Sequence, residues 1–151
     1  MKLNSEQSNY YHACLADILE TKEAQSMKQY IQHGSITTYM HCIRVSYYSY
    51  YLSQRFHVNV NTKSLIRGAF LHDFYLYDWH DPTSHRPWHG FHHPKTAYEK
   101  ARQLFTLNSI ETNIILSHMW PLTITSIPTC KEAVIVCIID KICSLQETFQ
   151  N

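Results

Sequence analysis

The sequence is poor in glycine, with only 3 glycines among 151 residues, at positions 34, 68 and 90. A loop that cradles phosphate groups, or the fingerprint of a dinucleotide-binding fold, needs several glycines at short fixed spacings. Because the three glycines lie far apart, both kinds of site are excluded. Tight hairpin turns also depend on glycine, so its scarcity disfavours an all-β fold.

An excess of charge of one sign is also missing. Lys and Arg together number 13 and Asp and Glu 12, which gives a formal net charge of +1. A surface that neutralises nucleic-acid phosphates or anionic lipid headgroups needs a marked excess of Lys and Arg. The sequence therefore predicts neither a nucleic-acid partner nor a membrane partner.

Paired cysteines and long apolar runs are lacking as well. The 5 cysteines are an odd number and include no C-x-x-C pair, so a disulfide framework and a thiolate zinc site are disfavoured. The longest uninterrupted apolar run, residues 133–139, is too short to cross a bilayer. Residues 1–20 contain no apolar segment of signal-peptide length. These absences predict a cytoplasmic protein.

Apolar residues and histidine are present in quantity. Hydrophobic residues make up 44% of the chain, enough for a packed core, and residues 1–151 fit one domain. The 11 histidines nearly equal the 12 carboxylates in number. Because histidine is the commonest metal-binding side chain, a metal site is the first kind of site to consider.

Apolar residues recur at helical spacing along most of the chain, which predicts an all-α bundle of about six helices. The expected helices cover residues 5–31, 36–56, 61–73, 94–105, 108–118 and a last segment that follows Thr129. Pro94 suits the first position of the fourth helix. Thr129 and Glu132 form the pattern of a capping box for the last helix.

A long break is predicted over residues 74–93, where two prolines and Gly90 interrupt the helical pattern. A stretch of this length inside a small domain is usually functional. We therefore expect it to form a wall of the functional pocket, with at least one of Arg86, His89 and His92 facing that pocket.

The predicted second helix is rich in tyrosine, at positions 47, 48, 50 and 51. Basic residues do not alternate with these rings as they would on a platform that stacks nucleic-acid bases. Packing in the core or at an interface is the better interpretation. A helix that is apolar on more than one side also allows a homodimer.

Several polar residues fall on the apolar faces of the predicted helices. They are His41, His72, Asp73, His118 and Asp140. Each should point inward, and a buried carboxylate without a partner costs several kcal/mol. A shared divalent cation would satisfy carboxylates and imidazoles together, because both are good ligands for Zn, Mn, Fe and similar ions.

At these residues the sequence resembles the HD-domain superfamily of metal-dependent phosphohydrolases, whose ligands follow the order His, His-Asp, Asp. The resemblance covers residues 39–149, within a motif-bearing part of about 36–149. The local strings are similar to those of small stand-alone HD-domain proteins: Leu71-His72-Asp73, Tyr77-Asp78-Trp79-His80, His89-Gly90-Phe91, His93-Pro94, His118-Met119, Pro121-Leu122 and Asp140-Lys141-Ile142.

The resemblance implies an all-α fold and a set of metal ligands. The first metal would be held by His41, His72, Asp73 and Asp140. In members with two metals, two further histidines complete the site and the aspartate of the doublet bridges both ions. Here these would be His93 and His118, with Asp73 as the bridging catalytic residue. His89 and His92 are alternative candidates for the ligand role given to His93. The alternative to a site for two ions is a site for a single ion.

The residues expected to bind substrate lie close to the predicted ligands in the sequence. They are Arg44, Arg86, His89, Lys95 and Lys141. Positive groups close to a metal site would stabilise phosphate oxygens. An ordinary salt bridge is the competing interpretation for Arg44 and Lys141.

The resemblance implies hydrolysis of a small phosphorylated compound or nucleotide by a metal-activated hydroxide. The cofactor would be one or two divalent ions, chosen from Fe, Mn, Zn, Ni, Co and Mg. Two alternatives use the same residues: a di-iron oxygenase that cleaves carbon–carbon or carbon–phosphorus bonds, and a module that binds a metal or nucleotide without catalysis. Iron content and a requirement for oxygen would separate the first alternative from the hydrolase.

Overall fold

Helices and one short hairpin make up the part of the chain that the computed structural model describes, residues 2–81 and 88–149. The helices are α1 (Ser5–Leu19), α2 (Lys22–Ser26), α3 (Thr38–Arg55), α4 (Thr62–Leu71), α5 (His89–Leu104), α6 (Ser109–Ser117) and α7 (Lys131–Phe149). A short 3-10 turn covers Met27–Gln29, and the hairpin pairs β1 (Ile31–His33) with β2 (Ile36–Thr37). The mainly helical architecture is as predicted, with seven helices in these residues instead of about six.

Short polar side chains begin five of these helices. The caps are Asn4, Thr21, Thr37, Asn61 and Asn108. In each case the side-chain oxygen accepts a hydrogen bond from a backbone N–H in the first turn, which would otherwise have no partner within the helix. The cap at Asn61 coincides with the predicted start of the third helix at residue 61.

The first predicted helix was wrong beyond residue 19. Thr21 interrupts it, because its hydroxyl donates to the Ile18 carbonyl at 2.7 Å and accepts from the Ala24 N–H at 3.1 Å. The chain then forms α2 and the hairpin. Gly34, at a φ of 55°, lies in the left-handed region that a tight turn can use and other residues avoid. Of the apolar residues near position 30, Met27 in the 3-10 turn is buried, whereas Ile31 of the hairpin is exposed.

Two further helix starts differ from the prediction. Helix α5 begins at His89, so Pro94 lies inside it and not at its first position. The capping box at Thr129 is absent because Glu132 accepts instead from the Asn61 N–H at 2.6 Å. The Thr129 N–H donates to Asn113 Oδ1 at 2.9 Å, and α7 begins at Lys131. The error at Thr129 comes from contacts with segments that are distant in the sequence.

Helix α4 is the central element, since every residue from Ser64 to Leu71 is buried. It packs against α3 and α6, with α1, α5 and α7 also in contact. Gly68 allows the close approach of α6: a Cβ at this position would lie 2.6 Å from Ile114 Cδ1 and 3.3 Å from Glu111 Cα. This tight packing brings the C-terminal ends of α4 and α6 close together.

The tyrosines of α3 pack within the chain. Tyr11 of α1 stacks on Tyr50, with ring centroids 6.3 Å apart, and meets Tyr47 edge-on at 5.8 Å. Core packing is therefore the interpretation that the structure supports for these two rings. Among the described helices, none is both long enough and apolar enough to span a bilayer.

Candidate metal centre

The helical scaffold brings six of the predicted residues to one buried cluster. His41 comes from α3, His93 from α5 and Asp140 from α7. His72 and His118 cap the C-terminal ends of α4 and α6, and Asp73 follows His72. Each of the six is at most 6% exposed. The inward orientation predicted for five of them, His41, His72, Asp73, His118 and Asp140, is confirmed by their burial, and His93 is buried as well.

One side of the cluster is built around two carboxylates and two imidazoles. His41 Nε2 lies 3.1 Å from Asp140 Oδ1 and 3.8 Å from Asp73 Oδ2. His72 Nε2 lies 3.4 Å from Asp73 Oδ2 and 3.6 Å from Asp140 Oδ1. His41, His72 and Asp73 form one group able to hold a metal ion, and Asp140 lies beside two of them and forms a further group with His72 and His118.

The other oxygen of Asp73 faces a second pair of imidazoles. Asp73 Oδ1 lies 3.1 Å from His93 Nε2 and 3.5 Å from His118 Nε2. The two Nε2 atoms of this pair are only 2.8 Å apart. Asp73, His93 and His118 thus form a second group able to hold a metal ion, and Asp73 belongs to both groups.

The Nδ1 atoms show which nitrogen of each ring is free to bind a metal. His72 Nδ1 lies 2.7 Å from the Ala69 carbonyl, His118 Nδ1 2.8 Å from the Ile115 carbonyl, and His93 Nδ1 3.0 Å from the His89 carbonyl. A carbonyl oxygen can only accept, so Nδ1 carries the proton in all three rings. In a neutral ring, Nε2 then presents a lone pair to the cluster.

Facing lone pairs and carboxylates repel one another unless a positive charge lies between them. His93 and His118 direct Nε2 lone pairs at each other, and both also face Asp73. His72 Nε2 and Asp73 Oδ1 are fully buried without a hydrogen-bond partner in the described structure. Such unpaired groups are costly in a protein interior. Divalent ions that accept imidazole and carboxylate ligands fit these atoms.

Two residues that were not predicted from the sequence form hydrogen bonds to members of the cluster. Glu147 is fully buried, and its Oε2 accepts from His41 Nδ1 at 2.7 Å. Gln32 of the hairpin donates from Nε2 to Asp73 Oδ2 at 2.6 Å. Glu147 lies seven residues after Asp140 on the same face of a helix, so periodicity could have found it. No sequence signal marks Gln32, because the hairpin itself was not predicted.

Protonation of the metal-free cluster follows from its charges. Burial lowers the pKa of His41, but hydrogen bonds to Asp140 and Glu147 outweigh this and raise it to about 9. Burial raises the pKa of Asp73, but the nearby His72 and His93 hold it well below its usual range. The pKa of His72 is raised as well, so protons on His41 and His72 balance the carboxylates when no cation is present.

We expect the stability of the metal-free protein to fall as pH rises from about 6.5 to 9. The pKa of His41 is raised from 6.5 to about 9 on folding, so its stabilisation is complete below pH 6.5 and is lost progressively as pH rises from 6.5 to about 9. Burial lowers the pKa of His118 below its ordinary value of 6.5. The titration of this ring therefore changes the free energy of unfolding only below about pH 6.5. Melting temperatures across this range in a chelator test the prediction.

Saturating Mn²⁺ should remove this fall, because the ion takes the place of the protons. His41→Gln serves as the control: it removes one titrating group, so the fall should become smaller, while His72, whose pKa Asp73 and Asp140 raise above its ordinary value in spite of burial, still titrates. A melting temperature that stays constant or rises between pH 6.5 and 9 in the chelated wild type would show that the cluster is not protonated as argued.

Replacing Glu147 with Gln should weaken metal binding by about 10–100-fold, the usual effect of removing a carboxylate that orients a ligating histidine. The amide can still accept from His41 Nδ1 but no longer increases the basicity of the ring. Chelator competition measures the dissociation constant. Glu132→Gln is the matched control, because Glu132 is a buried glutamate of α7 that contacts Asn61 and not the cluster. Equal effects in both variants would contradict the orienting role.

A cavity of about 900 Å³ opens from the cluster. Asp73, His93, His118 and Asp140 reach it, and apolar residues make up much of the remaining wall. Trp79 of the predicted break lines it, as do His89 and Gly90 at the start of α5. The His89 ring stacks on Trp79 at 5.2 Å and on His93 at 4.6 Å.

The predicted substrate-binding residues fall into different places. Lys141 and His89 line the cavity. The Lys141 ammonium also donates to the carbonyls of His118 and Cys137 at 2.9 and 3.1 Å, which ties it to the metal-ligand scaffold. Arg44 does not line the cavity and pairs with Glu147 at 3.3 Å.

The structure does not bring Lys95 to the cavity. Lys95 is exposed and lines a separate surface depression. The reason is that α5 already includes His93, and two residues further along a helix lie on nearly the opposite side. Among the competing histidines, His92 is exposed, whereas His93 faces Asp73. Arg86 lies outside the described residues.

Comparison with known proteins gives one family. The sequence profile of the HD domain family matches residues 38–145. Searches of curated proteins and of solved structures gave no significant match. The matched segment contains all six residues of the cluster, whereas Gln32 and Glu147 lie outside it. Because the match covers well over half of the 151 residues, the chain belongs to the HD domain family.

Proposed function

We propose that this protein is a metal-dependent phosphohydrolase that acts on a small phosphorylated compound, with nucleotides among the candidates. One observation carries the proposal: each oxygen of the buried Asp73 carboxylate faces its own pair of imidazoles. A carboxylate shared in this way suits two cations held side by side. Paired metal sites of this kind are typical of enzymes that displace groups at phosphorus.

Two groups of side chains would hold the ions. His41, His72, Asp73 and Asp140 form the first group, and Asp73, His93 and His118 form the second. Divalent ions bound there would polarise a phosphoryl oxygen and bring the pKa of a water molecule near 7. The chain's own contribution is to fix the rings by their Nδ1 hydrogen bonds and to balance positive charge with two buried carboxylates.

The cysteines close to the cluster are not suited to act as nucleophiles. Burial raises the pKa of Cys143 to about 12 and that of Cys42 well above its usual value. A thiol must lose its proton before it attacks, so both remain inert near neutral pH. This supports water as the attacking group.

The cavity wall supports a small substrate. Trp79, Met119, Leu122 and Leu145 present apolar surface, and Lys141 adds one positive charge. Cavities of roughly 300–1,000 Å³ are typical for small-molecule ligands. A compound with one phosphate near the cluster and a flat or apolar body against Trp79 fits these walls. A nucleic-acid or membrane partner is not part of the proposal.

The test is phosphate release by purified protein from a panel of phosphate esters and nucleotides, with metal content measured in the same samples. We expect release that needs added Mn²⁺, Fe²⁺, Co²⁺, Ni²⁺, Zn²⁺ or Mg²⁺ and is lost in chelator. Lys95→Ala is the control, because Lys95 lies outside the cavity. Oxygen consumption by an iron-loaded protein without phosphate release would indicate the oxygenase instead. Tight binding of a nucleotide that stays intact would indicate a binding module.

A further inference from the structure

Helix α7 carries a stripe of exposed apolar side chains on its outer side. Val134, Ile138, Ile142, Leu145 and Phe149 are between 44% and 78% exposed. Their spacings of four, four, three and four residues keep them on one side of a helix with about 3.6 residues per turn. The opposite side of α7, with Ala133, Val136, Cys137, Asp140, Cys143 and Glu147, is buried in the chain. Helix α7 is thus apolar on both sides.

The stripe continues onto the segment that follows α6. Trp120 and Leu122 are 41% and 47% exposed, and the Trp120 carbonyl accepts from Cys137 Sγ of α7 at 3.1 Å. Leu122 and Leu145 line the same cavity. We call these seven residues the α7 surface: the five of the stripe, Trp120 and Leu122.

The area of the α7 surface lies at or above the upper end for a typical monomer patch. If each side chain is taken at roughly 150–250 Å², the range for aromatic residues, the exposed fractions give about 550–930 Å². The largest apolar patch on a typical monomer is about 300–600 Å². A stable interface of standard size buries about 800 Å² on each partner. The α7 surface could therefore supply most of the area that such an interface buries on one partner.

We propose that the α7 surface binds a second copy of the same chain. From Ile135, which is half-buried beside the stripe, to Phe149 the apolar positions alternate spacings of three and four residues. This is the pattern by which one helix packs along another. A second copy offers the same stripe, and a two-fold axis lets each stripe cover the other. With a formal net charge of +1, two copies repel each other little.

A membrane surface is a poorer occupant for this face. Helices that lie on membranes flank their apolar side with many Lys and Arg residues. Helix α7 has only Lys131 and Lys141, and the Lys141 ammonium donates to His118 and Cys137. Because Leu122 and Leu145 border the cavity, the interface would adjoin its mouth. The proposal does not depend on the reaction catalysed there.

Light scattering coupled to size-exclusion chromatography, and sedimentation equilibrium, test the proposal on the full chain. The wild type should have twice the monomer mass of 17.9 kDa at micromolar concentrations. A variant with Ile138→Glu and Ile142→Glu should dissociate, with self-association weakened at least about 100-fold. Leu145→Lys provides a second, independent disruption. Circular dichroism checks that each variant retains its helices.

Phe56→Glu is the matched control, because Phe56 is 71% exposed and lies at the end of α3, outside the α7 surface. A photo-crosslinking residue at position 138 should give covalent dimers, and the same residue at position 56 should not. A monomeric wild type overturns the proposal. So does a dimer that persists in the Ile138→Glu, Ile142→Glu variant, or a monomer that binds lipid vesicles through this surface.

Discussion

Asp73→Asn is expected to abolish binding of paired metal ions and to lower phosphate release by at least ~1,000-fold, because the bridging carboxylate belongs to both ligand groups. The substitution preserves the shape of the side chain. The new amide can turn its oxygen toward the Gln32 donor, which leaves its NH₂ group facing His93 and His118. An amide nitrogen cannot bind a cation, so the second group loses its only anionic ligand among the described residues.

Metal stoichiometry by elemental analysis and affinity by chelator competition measure this effect independently of activity. Asp78→Asn is the control: Asp78 is half-buried and belongs to neither ligand group, and an amide oxygen can still accept from the His80 N–H that Asp78 binds at 2.9 Å. Full metal content together with normal phosphate release in Asp73→Asn would rule out the bridging role.

Asp140→Asn should leave the metal-free protein nearly as stable as the wild type while removing most of its stabilisation by metal. In chelator the amide oxygen still accepts from His41 Nε2, so the free energy of unfolding should change by only about 1 kcal/mol. With metal at ~1,000 times the dissociation constant, the wild type gains about 4 kcal/mol. For a chain of this size that is a rise in melting temperature of roughly 10 °C.

Melting temperatures of wild type and variant, each in chelator and in saturating metal, give the two effects separately. Ser144→Ala is a suitable control, since Ser144 lies one turn away and donates to Asp140 Oδ1 at 3.3 Å without belonging to either ligand group. A metal-induced shift of normal size in Asp140→Asn, with a large loss of stability in chelator, would mean that Asp140 is a structural residue.

The burial of the cluster could be predicted because it depends on helical periodicity within single segments. His41 and Asp140 lie in phase with apolar neighbours on their own helices, and that phase holds wherever the helix packs. The same reasoning could have reached Glu147, which follows Asp140 by two helical turns. The fold class and the inward orientation of these side chains can therefore be predicted from patterns within single segments of the sequence.

The errors arose where distant segments decide the local structure. The hairpin replaces a predicted helix because Gln32 and Thr38 join a hydrogen-bond network with Tyr75 and Asp73, which no local pattern encodes. Lys95 was chosen by its distance from His93 in the sequence. Direction around a helix, and not sequence distance, decides whether a side chain reaches the cavity.

The Nδ1 hydrogen bonds have a consequence for how this cluster can change during evolution. His72, His93 and His118 are oriented by main-chain carbonyls of their own helices, which persist whatever side chains stand at Ala69, His89 or Ile115. The residues at these three positions can therefore be substituted without removing the hydrogen bonds that orient the rings. His41 instead relies on a side chain 106 residues away, so a single substitution at Glu147 removes its support. Selection would have to maintain that distant pair jointly, while the other three rings tolerate change around them.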